Sequence, residues 1–586
     1  MRRVFALLLC AILTSACALG GKRAQERPNI LVIVADDLGY SDIGAFGGEI
    51  ETPNLDALAR RGVRFTDFHT AAACSPTRAM LLTGANPHRV GYATMAGDQT
   101  PAQLGQPGYE AFLNSATITI PQLLRDSGYL TVLSGKWDMG GRRDEALWPN
   151  QRGFEESFAL IEGAADHFEA LPALEEHDRP TYVENGARIN LPPDFYSSRT
   201  YAERMAAMLH RHQHEERPFF AYLAFTAPHW PLQAPAETIA RYEARYAAGY
   251  DTLRAARIAR MREIGIIGDA PPAARNPLIA PAWEELTPEM RQLETRRMAI
   301  YAAMVEEMDR AIGVVLDQLR ATGELDNTLV VFMSDNGPEG SNPLDWGWYD
   351  WAESSRDLSV ANMGGRRSYA WQGPGWGQVS ATPFSYFKFF AHEGGTRAPA
   401  IVAWPEHAQR GASEAGFASV LDLAATIVDA AGVEHPNGAS YNGAPTLPLE
   451  GRSLTPVLSG RTDEIRPDLP MVWELYNRRA VRLGDWKIVG ANPPWGDGAA
   501  RWQLYDVEHD PGEQHDLAAE HPDRVSRLND IFERYRRANG LVLDDAFTVP
   551  PTNTNSHYRW LPPEMRRPGY DGPSASREPQ RIDTMN

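Results

Sequence analysis

The apolar run NILVIVADDLG (Asn29–Gly39) constrains this chain more than any other stretch, because it reads as a strand that stops at two aspartates. A second such run, TLVVFMSDNGPEG (Thr328–Gly340), stops at Asp335 and Asn336 and comes after a long amphipathic segment, RRMAIYAAMVEEMDRAIGVVLDQLRATG. Between them, TPNLDALARRGVRFTDFHT, ITIPQLLRDSGYLTVLSGKW and RPFFAYLAFTAPHWPLQAP alternate helical and strand patterns. That alternation predicts an α/β fold, a large mainly parallel sheet flanked by helices on both faces. From about Met471 the pattern changes to short strands (MVWELY, RAVRLG, WKIVG, WQLYDVEHDPGE) and one helix, Pro522–Gly540. These predict a small C-terminal antiparallel sheet plus helix.

The first twenty residues have the form of an export signal: Arg2 and Arg3, the apolar run VFALLLCAIL, then TSAC. Cleavage after a small residue and lipidation of Cys17 both fit its end, and RRVF has a weak twin-arginine look. The expected location is the periplasm or, through a lipid on Cys17, the outer membrane. No later run approaches the ~20 apolar residues that span a bilayer. The expected domains are a signal peptide (1–20), a catalytic domain (27–465), a C-terminal subdomain (466–548) and a Pro-rich tail (549–586). Two insertions stand out, Ala236–Pro288 and Asn342–Gln378, the latter holding Trp346, Trp348, Trp351, Trp371 and Trp376. The second is either a surface loop with its own aromatic cluster or a wall over a site.

Net charge is −19, with no basic cluster outside the signal, which argues against nucleic acid as a partner. An acidic protein acting on an anionic substrate needs local cations to offset its own field. Ligands of open α/β sheets bind beyond the carboxyl ends of strands, so Asp36, Asp37, Asp335 and Asn336 can meet at one edge. Three carboxylates and an amide there call for a cation, and hard oxygen donors favour Ca2+ or Mg2+. The plainer reading of these residues, helix caps and turns, also stands.

The chain has three cysteines, and after removal of the signal Cys74 has no possible disulfide partner. In CSPTRAMLLTG, Ser75 suits a helix cap, Pro76 the first helical position and Gly84 the stop. Cys74 then sits at an anion-favouring helix start, with Arg78 one turn on. The common fate of such a pair is a small buried cysteine beside a surface arginine. A nucleophile and a cation at a phosphate- or sulfate-ester site is the functional one.

Cys-Ser-Pro-Thr-Arg resembles the signature of the formylglycine-dependent sulfatases, in the alkaline phosphatase superfamily. Matching motifs come in order: ADDLGYSDIGAFGGEIETPNLDALA, SGKW, APHWPLQAP, MSDNG, KFFAHEGGTRAPA and LYDVEHDPGEQHDL. The likeness is greatest to bacterial Ca2+-binding arylsulfatases. It implies an alkaline-phosphatase-like fold and hydrolysis of small-molecule sulfate monoesters, aryl sulfates foremost, to alcohol or phenol and sulfate. It also implies that a maturation enzyme oxidises Cys74 to formylglycine, whose hydrate has one hydroxyl to attack sulfur and a second to release sulfate. By the same likeness Asp36, Asp37, Asp335, Asn336 and modified Cys74 hold one Ca2+. Arg78 braces the nucleophile, Lys136, His229 and Lys388 bind sulfate, and His229 or Lys388 protonates the leaving oxygen.

One position departs from the pattern. The family's GKWHxG is GKWDMG here, with Asp138 in place of the histidine that takes the proton triggering sulfate release. A carboxylate can serve as that base, at the expense of negative charge beside an anionic intermediate; His392 is a candidate to compensate. There are two alternatives: a phosphodiester or phosphonate monoester hydrolase of the same superfamily, or an impaired homologue that binds sulfated ligands. The Trp-rich insertion is expected to line an apolar pocket.

Overall fold

The computed structural model describes residues 27–175, 179–277, 279–343, 349–405, 407–466, 468–490 and 501–544. The export signal with Cys10 and Cys17, Trp346, Trp348 and the tail 549–586 lie outside them. No described helix is long and apolar enough to cross a membrane.

The strands of the catalytic part are β1 (Asn29–Ala35), β2 (Val63–Phe65), β3 (Phe68–His69), β4 (Leu130–Lys136), β5 (Glu156–Leu160), β6 (Tyr182–Glu184), β7 (Ala187–Arg188), β8 (Phe219–Ala224), β9 (Thr328–Ser334), β10 (Ala400–Ala403), β11 (Ala412–Glu414) and β12 (Ala418–Ser419). Ten of them form one sheet in the order β11-β2-β10-β9-β1-β8-β4-β5-β6-β7, and β3 pairs with β12 alone. The centre, β9-β1-β8-β4-β5, is parallel. Towards the edges β10 and β6 run antiparallel to their neighbours.

Strand β1 shows why helices cover both faces. Leu31, Ile33 and Ala35 enter a core with Met205 and Met208 of the helix Ser197–His212 and Met298 and Val305 of the helix Pro288–Ala321. The alternate residues Ile30, Val32 and Val34 enter a second core with Leu81, Leu123 and Leu423 from helices on the other side. A strand apolar on both faces must be covered on both, and each such side chain contributes about 1.5–3 kcal/mol by leaving water. Register then levels the strand ends: Ala35 pairs with Ser334, Val34 with Ala224, and Gly135 with Ala224. The segments that leave the C-terminal ends of β1, β9, β8 and β4 therefore emerge along one sheet edge.

The C-terminal sheet is antiparallel, β13 (Met471–Leu475), β14 (Arg478–Leu483), β15 (Trp486–Gly490) and β16 (Trp502–Asp506), in that order. Val481, Ile488 and Leu504 pack under Leu528 and Phe532 of the helix Pro522–Asn539. The opposite face carries Arg482 and Lys487 towards the large sheet's half of the chain. Arg482 pairs with Asp67 at 2.6 Å, and Lys487 with Glu393 at 2.7 Å and Glu513 at 3.0 Å. His69 lies between Glu393 (3.1 Å) and Asp67 (3.6 Å), and Arg397 bonds both carboxylates. Asp67, His69 and Glu393 have metal-ligand spacing, but Arg397, Arg482 and Lys487 already balance their charge, so the group is a buried structural network.

The insertions differ from each other. Ala236–Pro288 supplies two helices, and Arg257 from the second is buried against Asp42 (2.6 Å) and Glu49 (2.7 Å). In the Trp-rich insertion Trp376 is core, edge-on to Tyr250 and Tyr246. Trp371 is fully buried in a cluster with Tyr369 and Trp230. Core packing has claimed the rings of Trp371 and Trp376, so these two tryptophans of the insertion do not face an open pocket. The insertion reaches the site indirectly: Tyr369 lies 6.0 Å from the ring of Trp230, which itself lies 4.6 Å from that of His229.

Candidate active site

Four strand ends and one helix start converge. Asp36 and Asp37 come directly after β1, Asp335 and Asn336 after β9, Lys136 ends β4, and His229 lies in the loop after β8. The helix Cys74–Thr83 points its first residue at them. Ala73, not Ser75, occupies the cap position and makes no side-chain cap bond, while Gly84 closes the helix with a left-handed backbone (φ 68). The capping role expected of Ser75 is corrected: its hydroxyl donates instead to Asp138 Oδ2 at 2.8 Å.

The contacts are specific. Arg78 reaches Asp335 Oδ2 through Nε (2.9 Å) and Nη2 (2.7 Å), with Asp36 at 3.8 Å, and is fully buried rather than on the surface. Lys136 Nζ bonds both oxygens of Asp36 (3.0 and 2.9 Å) and lies 3.5 Å from Asp138. Lys388 Nζ donates to Asp37 Oδ2 (2.9 Å), and His229 Nε2 is 3.6 Å from the same oxygen. Asp36, Asp37, Cys74, Arg78, Lys136, Asp138, His229, Asp335, Asn336 and Lys388 are therefore brought into one cluster. Asp37 and Asp138 take left-handed backbones (φ 64 and 56), a strain that persists where surrounding structure enforces it.

His392 is not brought there. Its ring packs on Tyr386 (4.2 Å) and Phe390, and Lys487, Arg478 and Glu393 are the charges that act on it. Its four-residue spacing from Lys388 spans a loop rather than a helical turn, so it does not stand in for the missing histidine. Other partners were missed. Glu339 sits 3.5 Å from Lys388 and is pinned by Ser341, and the MSDNGPEG segment held a signal for it in an acid just beyond the asparagine. His167 was not singled out; it holds the His229 carbonyl through Nε2 (3.1 Å) while Nδ1 faces Ser197 (2.6 Å).

Electrostatics sort the roles. Burial, with Asp335 and Asp37 nearby, pushes Asp36 well above the usual carboxylate range even against Lys136. Burial opposes ionisation of Asp37 too, but the Lys388 ammonium and the Asn336 amide outweigh it and hold that carboxyl low. Lys388 is raised well above its ordinary value, since Asp37 and Glu339 more than offset burial. Burial, helped by Lys388 and Lys136, drops His229 well below 6.5. Its Nδ1 lies 2.6 Å from the Trp230 carbonyl, so that nitrogen carries the ring proton and Nε2 is left as an acceptor.

The residues fit a divalent cation. Five carboxyl groups (Asp36, Asp37, Asp138, Asp335, Glu339) face three permanent cations (Arg78, Lys136, Lys388), so with all five ionised the excess is two negative charges, a state that a divalent cation would favour over the protonation that burial promotes at Asp36. Asn336 commits Nδ2 to Asp37 and the Gly337 carbonyl, while its buried Oδ1 has no hydrogen-bond partner among the described residues. Asp36, Asp335 and Cys74 present ligand atoms within 4.8 Å of one another. Hard oxygens dominate this set, as Ca2+ or Mg2+ requires.

Cys74 is 2 % exposed, and burial pushes its thiol up to about 12 despite Lys136. A thiol in that state stays protonated at neutral pH and is a poor nucleophile. Unmodified folded protein is therefore expected to resist iodoacetamide at pH 8, whereas urea-unfolded chain labels readily. Mass spectrometry of both samples checks this; rapid labelling of the folded form would contradict the burial.

Comparison with known proteins bears on this geometry. The Sulfatase family model matches residues 28–433, and one described as N-sulphoglucosamine sulphohydrolase, C-terminal, matches residues 384–533. An uncharacterized sulfatase of Schizosaccharomyces pombe is 39% identical over 547 residues, covering 89% of this chain and 96% of that one. An arylsulfatase of Klebsiella aerogenes is 39% identical over 461 residues, covering 77% and 96%. Among solved structures, Ps i-CgsB in complex with k-i-k-neocarrahexaose aligns with TM-score 0.62 at 24% identity, covering 91% and 97% of the chains. That likeness supports the fold alone.

Proposed function

This chain belongs to the sulfatase family, a sulfuric ester hydrolase, and from that premise we propose that it cleaves aryl-type sulfate monoesters using formylglycine made from Cys74 and one bound Ca2+. The observation that carries the reading is the meeting of Asp36, Asp37, Asp335 and Asn336 around a buried cysteine at a helix start, with Lys136 and Lys388 alongside. We also read the chain as exported, so the exporting host must hold the maturation enzyme.

Formylglycine supplies a hydrated aldehyde with two hydroxyls on one carbon, one to attack sulfur and one to expel sulfate. Asp36, Asp37, Asp335 and Asn336 would hold Ca2+, which would supply Lewis-acid chemistry at this site. The chain's own residues do the rest. Arg78, locked on Asp335, fixes the start of the nucleophile helix against β9. Lys136 and Lys388 bring permanent charge to the sulfate oxygens. Of the two candidate acids, Lys388 is the one that carries a proton; neutral His229 presents Nε2 as an acceptor. Lys388 is therefore assigned to the leaving oxygen and His229 to binding. The hydrogen bond from the Ser75 hydroxyl orients Asp138 and supports reading it as the base for the proton whose loss would release sulfate.

Two experiments test this. Tryptic peptide mass from the native host should show Cys74 converted to the aldehyde; a stable thiol in fully active protein would sink the mechanism. Asp138→His removes negative charge beside the sulfated nucleophile and inserts an imidazole base. It is expected to raise kcat by roughly tenfold and to move the acid limb of the pH profile towards about 6.5, since imidazole must be neutral to accept a proton. If turnover and pH profile both stay as they were, Asp138 is not the base.

A further inference from the structure

A cavity of about 680 Å³ shares none of its lining with the five site carboxylates, Lys136, His229 or Lys388. Pro76 and Met80, on the helix that begins at Cys74, belong to its lining, as do Leu421, Leu449 and Met471. Its outer side is one stripe of the helix Pro522–Asn539: Ile531, Arg534, Tyr535, Ala538 and Asn539, spaced as one helical face. Leu528 and Phe532 anchor the helix on the C-terminal sheet, and Ile531 and Tyr535 at the border of that cluster also line the cavity. The volume falls within the range of small-molecule sites.

Charge at this cavity is unbalanced. Glu450 is paired with Arg89 (3.3 Å), Arg466 with Asp422 (2.8 Å) and Arg452 with Asp468 (2.8 Å), while Glu474, 3.2 Å from the His88 ring, is the one lining carboxylate among the described residues without an arginine or lysine partner, against two arginines. Two lining arginines have no carboxylate among the described residues. Arg478 is 7 % exposed; its guanidinium lies 3.9 Å over the Phe390 ring and donates to the Phe389 carbonyl at 3.2 Å. Burial pulls its pKa down to about 10, the sign of a cation desolvated without a carboxylate to compensate. Arg534 stands exposed on the helix stripe. Surplus positive charge beside leucine, methionine and isoleucine side chains describes one ligand chemistry.

We propose that this cavity binds a small amphipathic organic anion, its carboxylate or sulfo head on Arg478 and Arg534 and its apolar body against Met80, Leu421, Leu449 and Ile531. The site is independent of the catalytic one.

The test is calorimetric titration of the full chain with decanoate in the presence of saturating inorganic sulfate. One site per chain is expected. Decan-1-ol, which lacks the charge, is expected to bind at least about tenfold more weakly, and Arg534→Gln to weaken decanoate by about the same factor. Ile531→Trp fills the cavity from the helix side and is expected to abolish binding while leaving turnover of a small sulfate ester intact, which also shows that the variant folds. Absence of one-to-one binding, equal binding of the alcohol, or binding indifferent to both substitutions would overturn the proposal. So would displacement of decanoate by inorganic sulfate, which would place the probe in the catalytic site.

Discussion

Changing Cys74 to alanine is expected to cut turnover of an aryl sulfate by on the order of 10⁵-fold or more, to the uncatalysed background. The neighbouring hydroxyl, that of Ser75, is committed to Asp138 and cannot take over the attack. The loss of one buried sulfur should cost only about 1 kcal/mol of stability. Fold and activity therefore separate cleanly, by thermal melting against kcat. Cys74→Ser is the more informative partner. Its single hydroxyl can attack sulfur once, but it has no second hydroxyl with which to expel sulfate. The expected product is protein carrying one sulfo group on the introduced serine, read by intact mass after incubation with substrate. Steady turnover by the serine variant at the wild-type rate would reject the two-hydroxyl chemistry.

Asp37→Asn is expected to have the next largest effect, because Asp37 is the hub of the cation side. Its carboxylate accepts from Lys388 at 2.9 Å and from Asn336 at 2.7 Å, with His229 at 3.6 Å. An amide in its place leaves Lys388 buried with Glu339 as its remaining carboxylate among the described residues. Breaking a buried pair in this way costs about 3–5 kcal/mol, and kcat/KM should fall by roughly 10²–10⁴-fold as Lys388 and the metal ligand are disturbed together. The stability difference has a defined pH course. Folding holds the Asp37 pKa below its ordinary 3.8, so its contribution is present above that value and lost as pH falls through the lower folded value. Urea unfolding of both proteins should show a gap at pH 7 that closes below about pH 4. Any Ca2+-dependent rise in melting temperature should shrink in the variant. A gap that persists undiminished in acid would mean that charge is not what Asp37 contributes.

Much of this was legible in the sequence because strand ends are local signals. An apolar run that stops at Asp36–Asp37 and another at Asp335–Asn336 announce both the parallel sheet and its loaded edge. Side chains whose roles depend on partners far along the chain were not legible. Ser75 looks like a cap until Asp138, 63 residues on, accepts its hydroxyl. Glu339 and Lys388 meet only because a loop folds back over β9. His392 failed for the converse reason: helical spacing carries meaning only in a helix, and residues 388–391 form none. Trp371 and Trp376 showed that aromatic density in a Gly-rich segment does not distinguish a pocket lining from a core.

The network that joins Arg482 and Lys487 to Asp67, His69 and Glu393 bears on modularity. A chain ended near residue 465 would lose both C-terminal cations and leave Glu393, just past the Lys388 loop, with Arg397 as its one charged partner besides His69 among the described residues. The boundary visible in the strand pattern is thus not a place to cut. A chimaera that exchanged the C-terminal unit for a relative's would need to carry those two cations with it, or it would disturb the loop of Lys388, the partner of Asp37, which lies outside the exchanged piece.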